Sequence, residues 1–107
     1  MSLSVLADPV LLRFRAALDA SYGPRLEPAV LFGSRARGDA VLDSDYDVAV
    51  FLKGFYDRWS EMDRLVPVVT DILYEDGASI HAIPDRAGVL AERTPLMHEI
   101  RREGGDL

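Results

Sequence analysis

Two aspartates and a glycine-serine pair stand at a spacing that suits nucleotide chemistry. Ten residues separate Gly33-Ser34 from Asp45, and Asp47 follows two positions later. The aspartates open an apolar stretch, residues 48–52, which predicts a buried strand. Side chains at i and i+2 of a strand project from the same face, so we expect Asp45 and Asp47 to converge while Tyr46 turns away. Two converging carboxylates are suited to the Mg²⁺ ions that accompany a nucleoside triphosphate.

The segment from Phe32 to Leu52 resembles the signature of polymerase-β-type nucleotidyltransferases, which consists of Gly-Ser, ten residues and Asp-x-Asp. It is also similar to the narrower pattern of the minimal (MNT) nucleotidyltransferases, because residues 35–38 are Arg-Ala-Arg-Gly and Ser44 precedes the first aspartate. Residues 94–104 resemble the last helix of these proteins. The resemblance implies an α/β (α+β) fold with a polymerase-β-like core, in which helices pack against a small mixed sheet.

The same resemblance implies an activity and a partner. The resemblance to minimal nucleotidyltransferases implies that this chain is the antitoxin of a two-gene module whose other product is a HEPN-type toxin. The implied reaction is Mg²⁺-dependent transfer of AMP from ATP to a protein hydroxyl, with a tyrosine of the toxin as the acceptor. The alternative is a catalytically weakened binding module, which neutralises its partner by occlusion or only binds nucleotide. A small-molecule transferase is a more distant third hypothesis. The resemblance implies that transferases of that class build their substrate site together with an additional domain.

The residues of the motif have distinct predicted roles. Asp45 and Asp47 are the predicted catalytic metal ligands, because Mg²⁺ prefers hard carboxylate oxygens. Gly33 permits close backbone approach, and Ser34 can donate to a phosphate oxygen or cap the short turn after it. Further candidates lie in the same segment. They are Arg35 and Arg37, which clamp the triphosphate or are simply solvated, and two carboxylates outside the motif, Asp39 and Asp43.

The predicted third strand departs from the pattern of the family. The resemblance implies that fully active members have a site of three carboxylates, with the third acid on a later strand. Here that strand is residues 79–83, Ser-Ile-His-Ala-Ile, and it contains no acid. If Ile80 and Ala82 face the core, His81 faces the aspartates. His81 is then a base for the incoming hydroxyl, a weak metal ligand, or a hydrogen-bonded liner of a reduced site.

Size and composition narrow the function classes. The 107 residues suffice for one core, so we predict a single minimal nucleotidyltransferase domain over residues 1–107. The net charge of −6 argues against general nucleic-acid binding, which needs a basic face. The absence of cysteine excludes disulfides and fits a reducing cytoplasm. No segment approaches the ~20 apolar residues of a membrane span, so we expect no membrane partner. The oligomeric state stays open, a homo-oligomer included.

Periodicity and capping residues predict the elements that position the motif. Asp8-Pro9 starts a helix that ends near Tyr22. A second helix has one buried face, and Pro67 should kink or split it. Pro84 should end the third strand. The predicted strands are residues 29–32, 46–52 and 79–83. The later helices run from about 59 to Gly77, which closes the helix, and from the Thr94-Pro95 cap to about 102. In the last helix, Leu96, Met97 and Ile100 either contact a partner or close the core.

Overall fold

The computed structural model describes residues 8–38 and 44–107. The helices are α1 (Pro9–Tyr22), α2 (Ser34–Arg37), α3 (Arg58–Asp76) and α4 (Pro95–Glu103), and the strands are β1 (Leu26–Phe32), β2 (Tyr46–Leu52), β3 (Ile80–Arg86) and β4 (Gly105–Asp106). Short 3₁₀ turns cover Gly23–Arg25 and Val89–Ala91. The sheet order is β3-β2-β1-β4, with β2 and β3 parallel and β1 antiparallel to both β2 and β4. The predicted fold class, a small mixed sheet packed by helices, is confirmed.

Helix α1 begins where the sequence predicts. The Asp8 carboxylate accepts hydrogen bonds from the Val10 and Leu11 amides at 2.9 and 3.4 Å, and Pro9 occupies the first turn. These contacts satisfy amides that have no partner inside the helix. The same carboxylate accepts a hydrogen bond from the Tyr46 hydroxyl at 2.7 Å. One side chain therefore caps α1 and fixes it to the start of β2.

Residues of β2 alternate between two hydrophobic clusters, one on each face of the sheet. Val48, Val50 and Leu52 pack with Tyr46 toward α1 and α3. Ala49 and Phe51 pack on the other face, against Val89, Met97 and Ile100. All these side chains are buried, which explains why β2 is apolar along nearly its whole length. Asp47 belongs to the α4 face by the same alternation.

Strand β3 continues through Pro84, so the prediction that this proline ends the strand is wrong. The Ser79 carbonyl accepts from the Tyr46 amide, and the Ala87 amide donates to the Leu52 carbonyl. The odd-numbered residues of this segment therefore direct their backbone N–H and C=O groups toward β2, whereas Pro84 is even-numbered and directs its backbone away from β2. Its missing N–H therefore falls on the outer side of an edge strand, where no ladder bond is lost.

Two other boundaries differ from the predictions. Strand β1 starts at Leu26 rather than Ala29, and its pairing with β2 is irregular between those two residues. That irregular stretch contains Pro28, which breaks the regular ladder pattern used to find strands. The two-residue strand β4 was not predicted, because its residues, Gly105 and Asp106, have low strand propensity.

Helix α3 is one continuous helix that contains Pro67, so the helix is not split there. Its predicted single buried face is only partly correct. Leu65 and Ile72 are buried, whereas Trp59, Val66 and Leu73 are exposed. In α4 the core reading of the apolar residues is confirmed for Met97 and Ile100, which are buried, while Leu96 is partly exposed. None of the helices in residues 8–38 and 44–107 combines the length and the apolar character that crossing a membrane requires.

Candidate active site

Asp47 lies in the middle of a row that crosses three strands. It pairs with Phe32 of β1 on one side and with His81 of β3 on the other. Its side chain is 31% exposed. Asp45 is exposed and stands directly before β2. The structure thus places both aspartates at the start of the central strand pair, while Tyr46 turns into the opposite core as predicted.

Gly33 contacts the Asp47 carboxylate directly. A Cβ atom added to Gly33 would lie 2.5 Å from Oδ2 of Asp47, closer than real side chains approach. Gly33 also adopts φ 78° and ψ −157°, a combination that is essentially restricted to glycine. The residue type is therefore required twice, once by backbone conformation and once by the approach of the turn to the carboxylate.

Ser34 begins α2 and does not cap it. Gly33 occupies the N-cap position, no side chain makes a capping hydrogen bond, and the Gly33 carbonyl accepts from the Ala36 and Arg37 amides. The alternative role of Ser34 as a turn cap is therefore wrong. Its carbonyl accepts from the Gly38 amide, which closes the single turn of α2.

Arg35 packs on the α1 side of the sheet. Its guanidinium lies 4.0 Å above the Tyr46 ring, and its Nε donates to the Ser44 carbonyl at 2.9 Å. Burial, and secondly the hydrogen bond to Asp8, raises the pKa of the Tyr46 hydroxyl to about 12. Arg35 and Tyr46 hold the backbone next to Asp45, a role the sequence did not reveal. They line a cleft of about 350 Å³ together with Ser79.

Arg37 lies on the other side, near the end of α4. Its guanidinium is 3.2 Å from the Glu103 carboxylate, which is nearly buried. Arg35 and Arg37 therefore diverge, each with partners inside the protein. Their binding to a triphosphate stays a prediction.

His81 faces Asp47, with Nδ1 3.4 Å from Oδ1. Its side chain is 65% exposed, and Ile80 and Ala82 on either side are buried in the opposite core, as predicted. The extended β3 does include a carboxylate, Asp85, but this residue pairs with Phe51 and lies 3.7 Å from Arg58. Four residues of strand span about 13 Å, so Asp85 cannot replace a third acid beside Asp47.

The donor set suits Mg²⁺ only in company with a nucleotide. Across the described ranges, no group of three or more histidine, cysteine, aspartate or glutamate side chains is arranged to hold a metal ion. Mg²⁺ usually binds one or two protein carboxylates and completes its octahedron with water and substrate phosphates. Asp45 and Asp47 fit that pattern. Asp39 and Asp43 lie outside the described residues.

A family model matches most of the chain. Residues 20–104 match the family model described as polymerase beta, nucleotidyltransferase. No curated protein matches the chain significantly in sequence.

Solved structures share the fold at low sequence identity. A toxin-antitoxin with AMP-PNP superposes with a TM-score of 0.65 at 18% identity, covering 89% of this chain and 69% of that one. A toxin-antitoxin MntA-HpeT mutant with two Asp-to-Glu substitutions gives 0.63 at 16%, with the same coverage. An MntA-HpeT mutant with a Tyr-to-Ala substitution gives 0.60 at 18%, covering 90% and 68%. The family match covers most of the sequence, and this chain belongs to the polymerase beta nucleotidyltransferase family.

Proposed function

We propose that this protein is an antitoxin that transfers AMP from ATP to a hydroxyl of its toxin partner. The observation that carries the proposal is the position of Asp47. It lies at the start of the central strand pair, with the Gly33 turn against its carboxylate and Asp45 two residues before it. A phosphate-approaching turn and an acidic pair thus meet at one open edge of the sheet.

The reaction is an in-line displacement at the α-phosphorus of ATP. A hydroxyl oxygen of the acceptor forms a bond to that phosphorus, the bond to the oxygen bridging to the β-phosphate breaks, and pyrophosphate leaves. Mg²⁺, when bound, neutralises charge on the phosphate oxygens. Asp45 and Asp47 would hold it. Gly33 and Ser34 would position the phosphates through backbone N–H groups and the Ser34 hydroxyl, which orients the reacting atoms.

Arg35 and Arg37 complete the proposed phosphate environment. Each guanidinium carries a positive charge within the turn that follows Gly33, so each adds to a potential that attracts the triphosphate. Arg37 would have to release Glu103 in order to contact the leaving pyrophosphate. Arg35 contributes in its present position by holding the Ser44 carbonyl and so the approach to Asp45.

His81 lies opposite Asp47, on the strand where the family resemblance implies a third acid. Its Nδ1 lies 3.4 Å from Oδ1 of Asp47 and most of its side chain is exposed, so the ring is within reach of an incoming hydroxyl held near Asp47. In the transferase it accepts the proton that the hydroxyl loses, or it lines the site while water takes that proton. General-base help is typically worth ~10²–10⁴-fold, so transfer without a carboxylate at this position is slow rather than absent.

The proposed partner rests on the structural neighbours. The three neighbours are toxin-antitoxin systems, and one of these was crystallised with AMP-PNP, an ATP analogue. Another carries Asp-to-Glu substitutions two positions apart, the same spacing as Asp45 and Asp47. We propose a HEPN-type toxin as the partner and one of its tyrosines as the acceptor, with ATP as the donor and Mg²⁺ as the cofactor.

One observation favours a second candidate. The residue facing Asp47 from β3 is His81, and the nearest acid of that strand, Asp85, is at the far end. A site with two carboxylates can bind a nucleotide without turning it over efficiently. The second candidate is therefore a binding module that neutralises its partner by occlusion.

Mass spectrometry distinguishes the two candidates. The protein is purified with the product of the adjacent gene as the candidate toxin, the complex is incubated with Mg²⁺ and labelled ATP, and the intact mass of that product is followed. Transfer adds the mass of AMP to the toxin, slowly with wild type and not with Asp47→Asn. Asp19→Asn removes one exposed carboxylate of α1 instead and should leave the labelling unchanged.

Substitutions at His81 sharpen the result. His81→Asp restores a carboxylate opposite Asp47 and should raise the labelling rate at least about tenfold. His81→Ala should lower the rate if His81 takes the proton, and should leave it unchanged if His81 only lines the site. If neither wild type nor His81→Asp labels the toxin, while a stable complex still forms, the occluding module replaces the transferase.

A further inference from the structure

Helix α2 has few contacts of its own to keep it in shape. It is a single turn, Ser34–Arg37, and no side chain among the described residues makes a capping hydrogen bond at its start. The amides of residues 36–38 donate to the Gly33 and Ser34 carbonyls. So short a helix is unstable by itself, because its nucleation fixes several residues for each hydrogen bond gained. Residues 33–38, which we call the Gly33 turn, must therefore be held by the rest of the fold.

Two arginines attach the Gly33 turn to opposite faces of the sheet. On the α1 side, the Arg35 guanidinium lies 4.0 Å above the Tyr46 ring. On the α4 side, Nη1 of Arg37 lies 3.2 and 3.4 Å from the two carboxylate oxygens of Glu103. The alternation of side chains along β2 directs Asp47 to the α4 side as well. The pair of Arg37 and Glu103 is therefore the attachment on the face where we propose that the nucleotide binds.

Glu103 is the more deeply buried member of this pair. Its side chain is 9% exposed, whereas that of Arg37 is 41% exposed. Nη2 of the neighbouring Arg102 lies 3.4 Å from the same carboxylate, but the Arg102 side chain is 68% exposed. Withdrawing a partner from a nearly buried charge is strongly unfavourable, because that charge has lost most of its water. An exchange of Glu103 for a phosphate is therefore costly to the protein, and the pair favours staying closed.

The backbone around Glu103 is anchored to β1. Glu103 is the last residue of α4. A Cβ atom on the following residue, Gly104, would clash with the Val30 side chain and with the Ile100 carbonyl. The next two residues form β4, which pairs with β1. Strand β1 in turn leads directly into the Gly33 turn. Glu103 is thus a fixed point, held by the same strand that carries the turn.

We infer that Glu103 is a positioning residue for the nucleotide, which holds the Gly33 turn in place through Arg37 and does not itself contact the substrate. The inference rests on the proposed function, because it concerns the same site. In this arrangement Arg37 keeps its bond to Glu103 while the nucleotide is bound. The pair acts by fixing Gly33 and Ser34, whose backbone and hydroxyl groups would position the phosphates.

Calorimetry with Mg-ATP tests this role. Glu103→Gln keeps the shape of the side chain but removes its charge, and Arg37→Ala removes the other half of the pair. Each should weaken binding at least about tenfold, since outer partners of a metal site are typically worth about 10–100-fold in affinity. The double variant should bind no more weakly than Arg37→Ala, because Glu103 acts through Arg37. Glu92→Gln removes the carboxylate of an exposed pair with Arg86 and should bind like wild type.

Other results of the titration overturn the inference. Tighter binding by Glu103→Gln would mean that Arg37 leaves Glu103 for the phosphates, so that the pair competes with the nucleotide. Additive losses in the double variant would mean that Glu103 acts through another contact. Equal affinity in wild type and Glu103→Gln would exclude Glu103 from any part in binding.

Amide hydrogen exchange tests the anchoring without nucleotide, and so separates this inference from the proposed function. The amides of residues 36–38 should exchange at least about fivefold faster in Glu103→Gln and in Arg37→Ala, whereas those of β2 should be unchanged. Arg37 is the more exposed partner, so Arg37→Ala keeps the test valid should Glu103→Gln fail to fold. Unchanged exchange in Arg37→Ala would overturn the inference. Faster exchange in a protein that does not bind Mg-ATP would leave the anchor in place but reject the nucleotide site, and with it the proposed function.

Discussion

The two faces of the sheet differ in how completely they are covered. The face toward α1 and α3 is closed by helices of 14 and 19 residues, and every even-numbered side chain of β2 is buried there. The opposite face is covered mainly by α4, which has nine residues and reaches only part of β2. Asp47 and His81 lie at the uncovered end. The well-covered face supplies stability, and the thinly covered face leaves room for a substrate.

The difference explains why the acidic pair is tolerated at the start of a buried strand. A carboxylate among the side chains under α1 and α3 would lose its hydration without a partner. At the open end Asp47 keeps contact with water, and Gly33 and His81 are its neighbours. Substitutions on the two faces should therefore separate into those that lower stability and those that lower nucleotide affinity.

Phe14→Ala should have the largest effect on stability and no direct effect on the site. Phe14 is fully buried between α1 and the sheet, and such truncations cost about 3–5 kcal/mol in the free energy of unfolding. Urea denaturation measures this. Leu12→Ala on the exposed side of the same helix should cost less than about 0.5 kcal/mol. A loss below about 1 kcal/mol for Phe14→Ala would mean that this face is not the main source of stability.

Gly33→Ala should affect both stability and the site. The backbone conformation of Gly33 costs another residue about 1–3 kcal/mol, and the added Cβ displaces the Asp47 carboxylate. We therefore expect reduced stability together with weaker Mg-ATP binding. Gly88→Ala is the matched control. Gly88 also has a positive φ, but a Cβ there meets no atom within 4 Å. Comparable loss of nucleotide affinity in both variants would show that strain alone, not contact with Asp47, is responsible.

Tyr46→Phe should have the smallest effect, about 1 kcal/mol at neutral pH, from the lost hydrogen bond to Asp8. The raised pKa of about 12 means that folding favours the neutral hydroxyl. The stabilisation that the neutral Tyr46 hydroxyl contributes is therefore complete below pH 10, the ordinary pKa of tyrosine, and is lost as the pH rises through about 12. Urea denaturation at pH 7 and pH 11 should show a smaller pH-dependent loss in the variant than in wild type.

Tyr22→Phe is the control for that comparison. Burial raises the pKa of the Tyr22 hydroxyl to about 12 as well, but this buried hydroxyl has no hydrogen-bond partner among the described residues. Its removal should change stability at pH 7 very little while reducing the alkaline loss similarly. A large destabilisation at pH 7 would contradict the role of the Asp8 bond as the difference between the two tyrosines.

The sequence predicted the elements whose signals are local. Asp8-Pro9 and Thr94-Pro95 correctly predicted the starts of α1 and α4, and the apolar run after Asp47 correctly predicted β2. It also predicted that His81 faces Asp47, because alternation along a strand needs no tertiary information. The continuation of β3 through Pro84 was not predictable, since it depends on which edge of the strand is paired.

Tertiary contacts account for what the sequence did not reveal in the site. Arg35 contacts Tyr46, 11 residues away in the sequence, and Arg37 contacts Glu103, 66 residues away. Spacing along the chain gives no sign that the two arginines diverge. The same holds for α3, where packing against α1 and β3 decides which of its apolar residues are buried.

Calorimetric titration of Mg-ATP into wild type and Asp47→Asn is the most direct test of Asp47 as a metal ligand. We expect Mg²⁺-dependent binding to wild type that Asp47→Asn abolishes or weakens by at least about 100-fold, since even outer partners of a metal site are worth 10–100-fold. Circular dichroism should show an unchanged fold, and Asp19→Asn should bind like wild type. Equal affinity in wild type and Asp47→Asn would exclude Asp47 from the nucleotide site.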